Sequence, residues 1–326
     1  MTVLVTGGAG FIGSHVVDLL CAAGYLPRIF DLVSPIGNVD VESIVGNLLD
    51  RGSLARAMRG CDAVVHLAAV ADVGAVAADP ARADLVNVRG TQIVLEAARQ
   101  VGIRRFVYAS TVWVYGGVNG NGTLVDEDTP LVLPSHFYTA TKLAGEMYCR
   151  SYGTLYGLDQ TILRFGIPYG PRSRPAAVVA AFVARAHAGQ PLQIAGDGLQ
   201  SRQFVYVEDL AEGVVAALSE SAPSGVYNLV GEESVSVRTI ADHVRRLVAN
   251  VPVVHVEARN ADVEMRRISG ERAERDLGWT AGTPFSEGLR SYIDWVTETN
   301  GSPSVPTSST IAGSAAAVLR QEPSEL

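Results

Sequence analysis

The sequence predicts an α/β protein, a doubly wound parallel sheet followed by a smaller C-terminal α/β lobe. Three observations point to it. β-branched runs alternate with helically spaced runs over the first half, a glycine-rich loop succeeds the first run, and the alternation loosens after residue 170. In chain order, residues 3–6 form a short β-branched run and 12–24 have helical spacing. Residues 26–31 and 62–68 (DAVVHLA) are strand-like, 86–101 helical, 105–110 strand-like, 138–152 helical and 160–165 (QTILRF) strand-like. Beyond Pro171 and Pro175, helical stretches near 178–188, 208–219, 236–249 and 286–298 are separated by FVYV, VYNLV and VVHVE. This divides the chain into a sheet domain over 1–170, to which later segments can return, and a second lobe over 171–299. Residues 300–326, rich in Ser, Pro, Thr and Gly, read as a disordered tail.

Charge and composition exclude several classes. The 326 residues carry 26 Lys+Arg against 34 Asp+Glu, a net charge of −8, without any basic block. That argues against a nucleic-acid partner. No run of 18 apolar residues is present, so no membrane span is expected. The opening MTVLVTGG lacks the charged region of a signal peptide. Cys21, Cys61 and Cys149 lie far apart with no CxxC, which predicts buried free thiols, a reducing cytoplasmic setting and no metal site.

The loop TGGAGFIGS (6–14) sits between the first strand and the first helix. Gly8, Gly10 and Gly13 fit a GxGxxG spacing, and Gly7, Gly10 and Gly13 fit GxxGxxG. In that context the glycines let the backbone turn tightly and let a diphosphate approach the free N–H groups and positive dipole end of the helix. This is the Rossmann-type arrangement. Asp31 ends the second strand, where a carboxylate accepts from ribose hydroxyls and repels a 2′-phosphate. With Leu32 and Val33 beside it and no arginine, the cofactor expected is NAD rather than NADP.

Together with motifs further along the chain, these resemble the extended short-chain dehydrogenase/reductase family of nucleotide-sugar epimerases and dehydratases. The likeness runs from about residue 2 to 298, through TGGAGFIGS, Asp31, GNLLD, HLAA, NVRGT, YAST…VYG, YTATK, LRFGIPYGPR, GDGLQSRQFVYVED, YNLVG and LGW. The resemblance implies that Phe11 and Ile12 join the glycines at the cofactor. It puts Asn47 and Leu48 beside the adenine, Asn47 standing where the family usually has Asp. Leu67, Ala68 and Ala69 would line the cofactor, with Asn87 and Gly166 near the nicotinamide. His66 reads as a packed strand-end histidine rather than a catalyst.

Tyr138 and Lys142, four apart in YTATK, share a helix face. A tyrosine titrating near 10 is a poor base at neutral pH. A nearby ammonium and a positively charged nicotinamide favour its phenolate, which can then take a proton from a sugar hydroxyl while hydride leaves the carbon. Lys142 can also hydrogen-bond the nicotinamide ribose. The resemblance places Thr111 at the family's catalytic Ser/Thr position, making Thr111, Tyr138 and Lys142 the candidate catalytic trio.

The two residues after Thr111 bear on the choice of reaction. Family 4,6-dehydratases carry an Asp-Glu pair there and decarboxylases usually a Glu at the second place, whereas this chain has Val112 and Trp113. The expected chemistry is therefore NAD-dependent 4-epimerisation of a nucleotide-diphosphate sugar. A net oxidoreductase of the same fold is the alternative, and a non-catalytic NAD-sensing protein a third reading. Trp113 either bounds the turning sugar ring or packs as a core aromatic. The resemblance assigns Arg202 and Arg259 to the nucleotide diphosphate or ribose. Ala71, Val76, Ile167 and Val178 replace polar residues common in relatives, which suggests an apolar pocket suited to a modified or deoxygenated sugar. By the same analogy, helices around 88–100 and 138–152 would pair two chains into a homodimer.

Overall fold

The structure, a computed structural model, describes residues 1–35, 40–116, 124–258 and 267–299. Arg259 and the 300–326 segment lie outside them. Strands β1 (Thr2–Thr6), β2 (Leu26–Asp31), β3 (Glu42–Val45), β4 (Ala63–His66), β5 (Arg105–Thr111) and β6 (Asp159–Phe165) pair in parallel in the order β6-β5-β4-β1-β2-β3. Parallel neighbours need crossovers. Helices α1 (Phe11–Ala22), α2 (Arg51–Met58), α3 (Val73–Ala78), α4 (Pro80–Asp84), α5 (Thr91–Val101) and α6 (Phe137–Tyr156) lie in the connections. The strand order reverses between β1 and β4, which opens a crevice at their C-terminal ends.

Residues from beyond 170 go to two places. β7 (Ile167–Tyr169), β9 (Ser201–Tyr206) and β11 (Ser234–Ser236) make a small sheet, and β8 (Leu192–Ala195) pairs with β12 (Val253–Val256). With α7 (Val178–His187), α9 (Val237–Leu247) and α11 (Phe285–Glu298) they enclose a core around Tyr169, Val183, Phe204, Ile240, Phe285 and Leu289. In contrast, β10 (Gly225–Leu229) lies parallel to β6 as the seventh strand of the large sheet. The segments α8 (Val207–Ala216) and α10 (Glu271–Leu277) also pack on that sheet.

Strand alternation builds the two faces of the large sheet. Val3, Val5, Val65, Val107, Leu163 and Leu229 meet α1 and α8 through Val16, Leu20, Leu210 and Val214. On the other face, Leu4, Val64, Phe106, Tyr108 and Ile162 meet α2, α5 and α6 through Leu54, Met58, Val94, Leu95, Cys149 and Tyr152. α1 turns Val16, Val17 and Leu20 inward and leaves Cys21 exposed. The expectation of buried thiols is thus corrected: Cys149 is buried, Cys61 half-buried and Cys21 exposed.

The helix expected over 86–101 is also modified. α5 is preceded by a widened π turn, Leu85–Gly90, a feature that recurs at functional sites. Its Asn87 faces inward. Asn87 Oδ1 accepts from Val70 N (2.8 Å), and Nδ2 donates to Val70 O (3.0 Å) and Thr141 Oγ1 (3.0 Å). Two histidines tie elements together. His15 Nε2 bonds Pro171 O at 2.9 Å, and burial lowers its pKa to about 4. His66 bonds Thr6 Oγ1 through Nδ1 (2.7 Å) and Thr91 Oγ1 through Nε2 (3.0 Å), with burial lowering its pKa to about 3. His66 is thus a core brace between β1, β4 and α5. Among the described residues no helix is long and apolar enough to cross a membrane, and no group of three His, Cys, Asp or Glu could hold a metal.

Candidate active site

The glycine loop turns at Gly7, whose φ is +74°; a Cβ there would lie 2.7 Å from Ala68 N. The loop therefore rests directly on the chain leaving β4. A Cβ on Gly13 would fall 2.1 Å from Gly7 O, so the first helical turn packs against the loop backbone. Gly10 stands at the N-cap of α1 and supplies no side chain to it. The first intrahelical bond there runs from Ser14 N to Gly10 O (2.9 Å). The N–H groups of Phe11, Ile12 and Gly13 therefore lack intrahelical partners and face the crevice end of the helix. That donor set, beside a side-chain-free surface, suits a diphosphate.

Asp31 closes the loop's far side. Its Oδ2 accepts from Ala9 N (3.0 Å) and its Oδ1 from Leu32 N (2.7 Å). Burial pushes its carboxyl pKa up, against the downward pull of those backbone bonds. Val33 N–H is a third backbone donor, and of the roughly four lone-pair sites of a carboxylate one is left for a ribose hydroxyl. Leu67, Ala68 and Ala69 are half-buried at the crevice. Asn47 uses its Oδ1 locally, accepting from Leu49 N (3.0 Å), and Leu48 is drawn into the core over Gly90. Asn87, through its bonds to Val70 and Thr141, braces the 70-loop against α6. Gly166 is buried; a Cβ there would press on Gln203 O and Leu229 O at 3.1 and 3.3 Å, so its smallness has a packing cause.

Tyr138 and Lys142 lie on the first turns of α6 and Thr111 ends β5. Lys142 is 5% exposed, and its Nζ donates to Ala109 O (2.9 Å) and lies 5.2 Å from the centroid of the Tyr108 ring. Thr111, two residues further along β5, accepts from Trp113 N (3.3 Å). Tyr138 is half-buried at the start of α6. His136 caps that helix, accepting from Thr139 N (3.3 Å). The His136 ring stacks parallel with Tyr138 at 6.4 Å and meets Trp113 edge-on at 5.7 Å. Arg202 lies over the Trp113 ring at 5.5 Å. Trp113 is therefore half-buried, is linked to the Tyr138 ring through His136, and belongs to none of the apolar clusters.

The electrostatics differ in part from the sequence expectation. Burial drives the Lys142 ammonium pKa down to about 8 and the Tyr138 phenol up to about 12. The chain's own downward pull on Tyr138 comes from Arg174 rather than Lys142. Arg174 forms an ion pair with Asp72 at 3.1 Å. The motif points to Lys142 alone, and nothing in its spacing indicates Arg174. Val76 is buried on α3, and Arg259 lies outside the described residues.

Sequence reasoning also missed a buried polar network behind the trio. Arg164 donates from Nε and Nη2 to the two oxygens of Glu146 (3.0 and 2.7 Å), and from Nη1 to Tyr115 Oη (2.8 Å). Ser110 Oγ donates to Glu146 Oε1 (2.5 Å), and Tyr115 Oη to Asn228 Oδ1 (2.8 Å). Asn228 N donates to Glu127 Oε1 (2.7 Å). The local signal was Arg164 within the apolar end ILRF of β6, and Glu146 one turn beyond Lys142 on the same face of α6.

A model of the NAD dependent epimerase/dehydratase family matches residues 3–230. A trifunctional UDP-glucose 4,6-dehydratase/UDP-4-keto-6-deoxy-D-glucose 3,5-epimerase/UDP-4-keto-L-rhamnose-reductase of Arabidopsis thaliana is 31% identical over 314 residues, covering 91% of this chain; the chain spans about half, 47%, of that protein's length. A putative UDP-glucose 4-epimerase of Methanocaldococcus jannaschii is 31% identical over 308 residues, covering 91% of this chain and 99% of that one. Among solved structures, the UDP-glucose 4-epimerase of Thermus thermophilus in complex with NAD superposes with a TM-score of 0.84 at 35% identity, over 91% of this chain and 99% of that one. Such relatives carry out more than one reaction on nucleotide sugars. With its seven-stranded parallel sheet, its glycine loop and the matched residues 3–230, this chain belongs to the NAD dependent epimerase/dehydratase family.

Proposed function

We propose that the chain catalyses 4-epimerisation of a nucleotide-diphosphate sugar through a transient 4-keto sugar. The observation that carries this reading is the pair after Thr111. Val112 is 2% exposed within an apolar cluster of Val114, Tyr115, Val125 and Ile268, and Trp113 presents an aromatic wall. Neither offers a proton donor or acceptor for expelling water, so the chemistry that needs no further acid or base is favoured.

In this reading Tyr138 takes the proton from the C4 hydroxyl and Thr111 hydrogen-bonds the same oxygen. Lys142, still largely an ammonium below its pKa of about 8, favours the developing phenolate. The N–H groups of Phe11, Ile12 and Gly13 bind the dinucleotide diphosphate, and Asp31 binds its ribose. NAD, when bound, accepts hydride from the sugar carbon and returns it. Trp113 bounds the ring while the keto sugar turns over, and Arg202 supplies positive charge toward the nucleotide diphosphate. The reading includes a cytoplasmic homodimer built on α5 and α6. Val101, Met147, Tyr148, Leu155 and Tyr156 are exposed apolar residues on those helices.

The test is incubation of the purified chain with UDP-, dTDP-, GDP- and CDP-sugars, deoxysugars included, and then separation of products. A product of unchanged mass with inverted C4 is expected. Stoichiometric NADH would shift the reading to a net oxidoreductase, and a product lighter by one water would make it a dehydratase.

A further inference from the structure

We propose that Glu146, through its ion pair with Arg164, is a positioning residue that sets the register of α6 along β5 and thereby the position of Tyr138 relative to Thr111. The proposal rests on the epimerase reading for its kinetic test. Its basis is a residue-by-residue match between helix and strand. Gly145 faces Tyr108, whose hydroxyl would lie 2.0 Å from a Cβ at that position. Lys142 Nζ holds Ala109 O at 2.9 Å. Glu146 Oε1 accepts from Ser110 Oγ at 2.5 Å. Residues 108, 109 and 110 of β5 are thus each tied to α6, and the next residue is Thr111.

The same pair reaches the other wall of the site. Arg164 gives two N–H groups to Glu146 and a third to Tyr115 Oη, and its guanidinium stands 4.9 Å from the Tyr115 ring centroid. Tyr115 ends the 3₁₀ turn Val112–Tyr115, within which Trp113 N donates to Thr111 Oγ1. The Glu146–Arg164 pair therefore connects the helix bearing Tyr138, through Ser110 the strand bearing Thr111, and through Tyr115 the turn bearing Trp113.

Stability alone is a poor account of such a pair. Glu146 and Arg164 are 0% and 1% exposed, and desolvating two charges this deeply costs about as much as their attraction returns, so apolar replacements of similar volume are often neutral. What apolar residues lack is direction. A two-pronged guanidinium–carboxylate contact fixes distance and angle together. A shift of roughly 1 Å at reacting groups lowers turnover by about 100-fold, so direction is what this position would need.

The experiment compares wild type with Glu146→Leu/Arg164→Met in the full NAD-bearing chain. We expect kcat for C4 inversion to fall about 10- to 100-fold, with KM for the sugar nucleotide within about twofold and thermal midpoint retained. A folded double variant with kcat within threefold of wild type would overturn the proposal. Should that variant not fold, Tyr115→Phe removes only the hydroxyl link between Arg164 and Asn228. Its kcat should drop several-fold at constant KM, and an unchanged kcat overturns the proposal equally. If wild type is inert toward every nucleotide sugar, the epimerase reading fails by itself. Crystal structures of wild type and Tyr115→Phe then decide the positioning claim: Tyr138 displaced relative to Thr111 supports it, and identical placement overturns it.

Discussion

At Gly13 a single methyl group would decide whether the loop exists. The Cβ of an alanine there would lie 2.1 Å from Gly7 O, a backbone atom that cannot rotate away. Gly13→Ala should therefore open the loop and abolish NAD-dependent thermal stabilisation, read as the difference in melting temperature with and without NAD; an undiminished difference would count against the site. Residues of this kind were legible because their chemistry is local: the glycines lie within six residues of each other, and Tyr138 and Lys142 within one turn of helix. Glu146 and Ser110 are 36 residues apart, and Asn87 and Thr141 are 54 apart, so no local pattern could join them. The lowered tyrosine pKa inferred from Y-x-x-x-K was also incomplete. Spacing pointed to the Lys142 ammonium, but in the chain itself burial dominates at Tyr138 and the opposing charge is Arg174.

Between elements, the two inward histidines act as neutral struts, one joining α1 to Pro171 and the other joining β1, β4 and α5. Both have native pKa values below the usual 6.5, about 4 for His15 and about 3 for His66. The unfolded chain binds their protons first as pH falls. Their stabilising contribution is thus complete above about pH 6.5 and is lost as pH drops toward 4 and then 3, at up to about 1.4 kcal/mol per pH unit for each. Urea titrations at pH 7, 6, 5 and 4 should show the midpoint declining most steeply below 6. His15→Gln should flatten the part that His15 contributes; a slope unchanged by it would refute the assignment. Most strands and helices could be read from period-2 and helical spacing. β3 and α2 could not, since Glu42–Val45 is a short, largely exposed edge and Arg51–Met58 is mostly polar or small.

For the molecule as a whole, α6 carries Met147, Tyr148, Leu155 and Tyr156 as apolar surface exposed among the described residues. Such a patch is characteristic of an association surface. In the homodimer reading, Met147→Glu/Leu155→Glu halves the mass measured by light scattering and leaves the far-ultraviolet circular dichroism unchanged. A wild-type chain that runs as a monomer, or a variant that stays paired, would refute it. The sequence indicated two units but not which late segment returned to the first, because pairing of β10 with β6 joins residues roughly 64 positions apart, Gly225 opposite Thr161. That late return has a consequence for biosynthesis. Translation delivers β6 long before its outer neighbour, so a nascent chain carries a bare, sticky margin until residue 229 has left the ribosome. A stalled or truncated product ending between the two strands would be an aggregation seed, and slow decoding across that interval would call for chaperone cover.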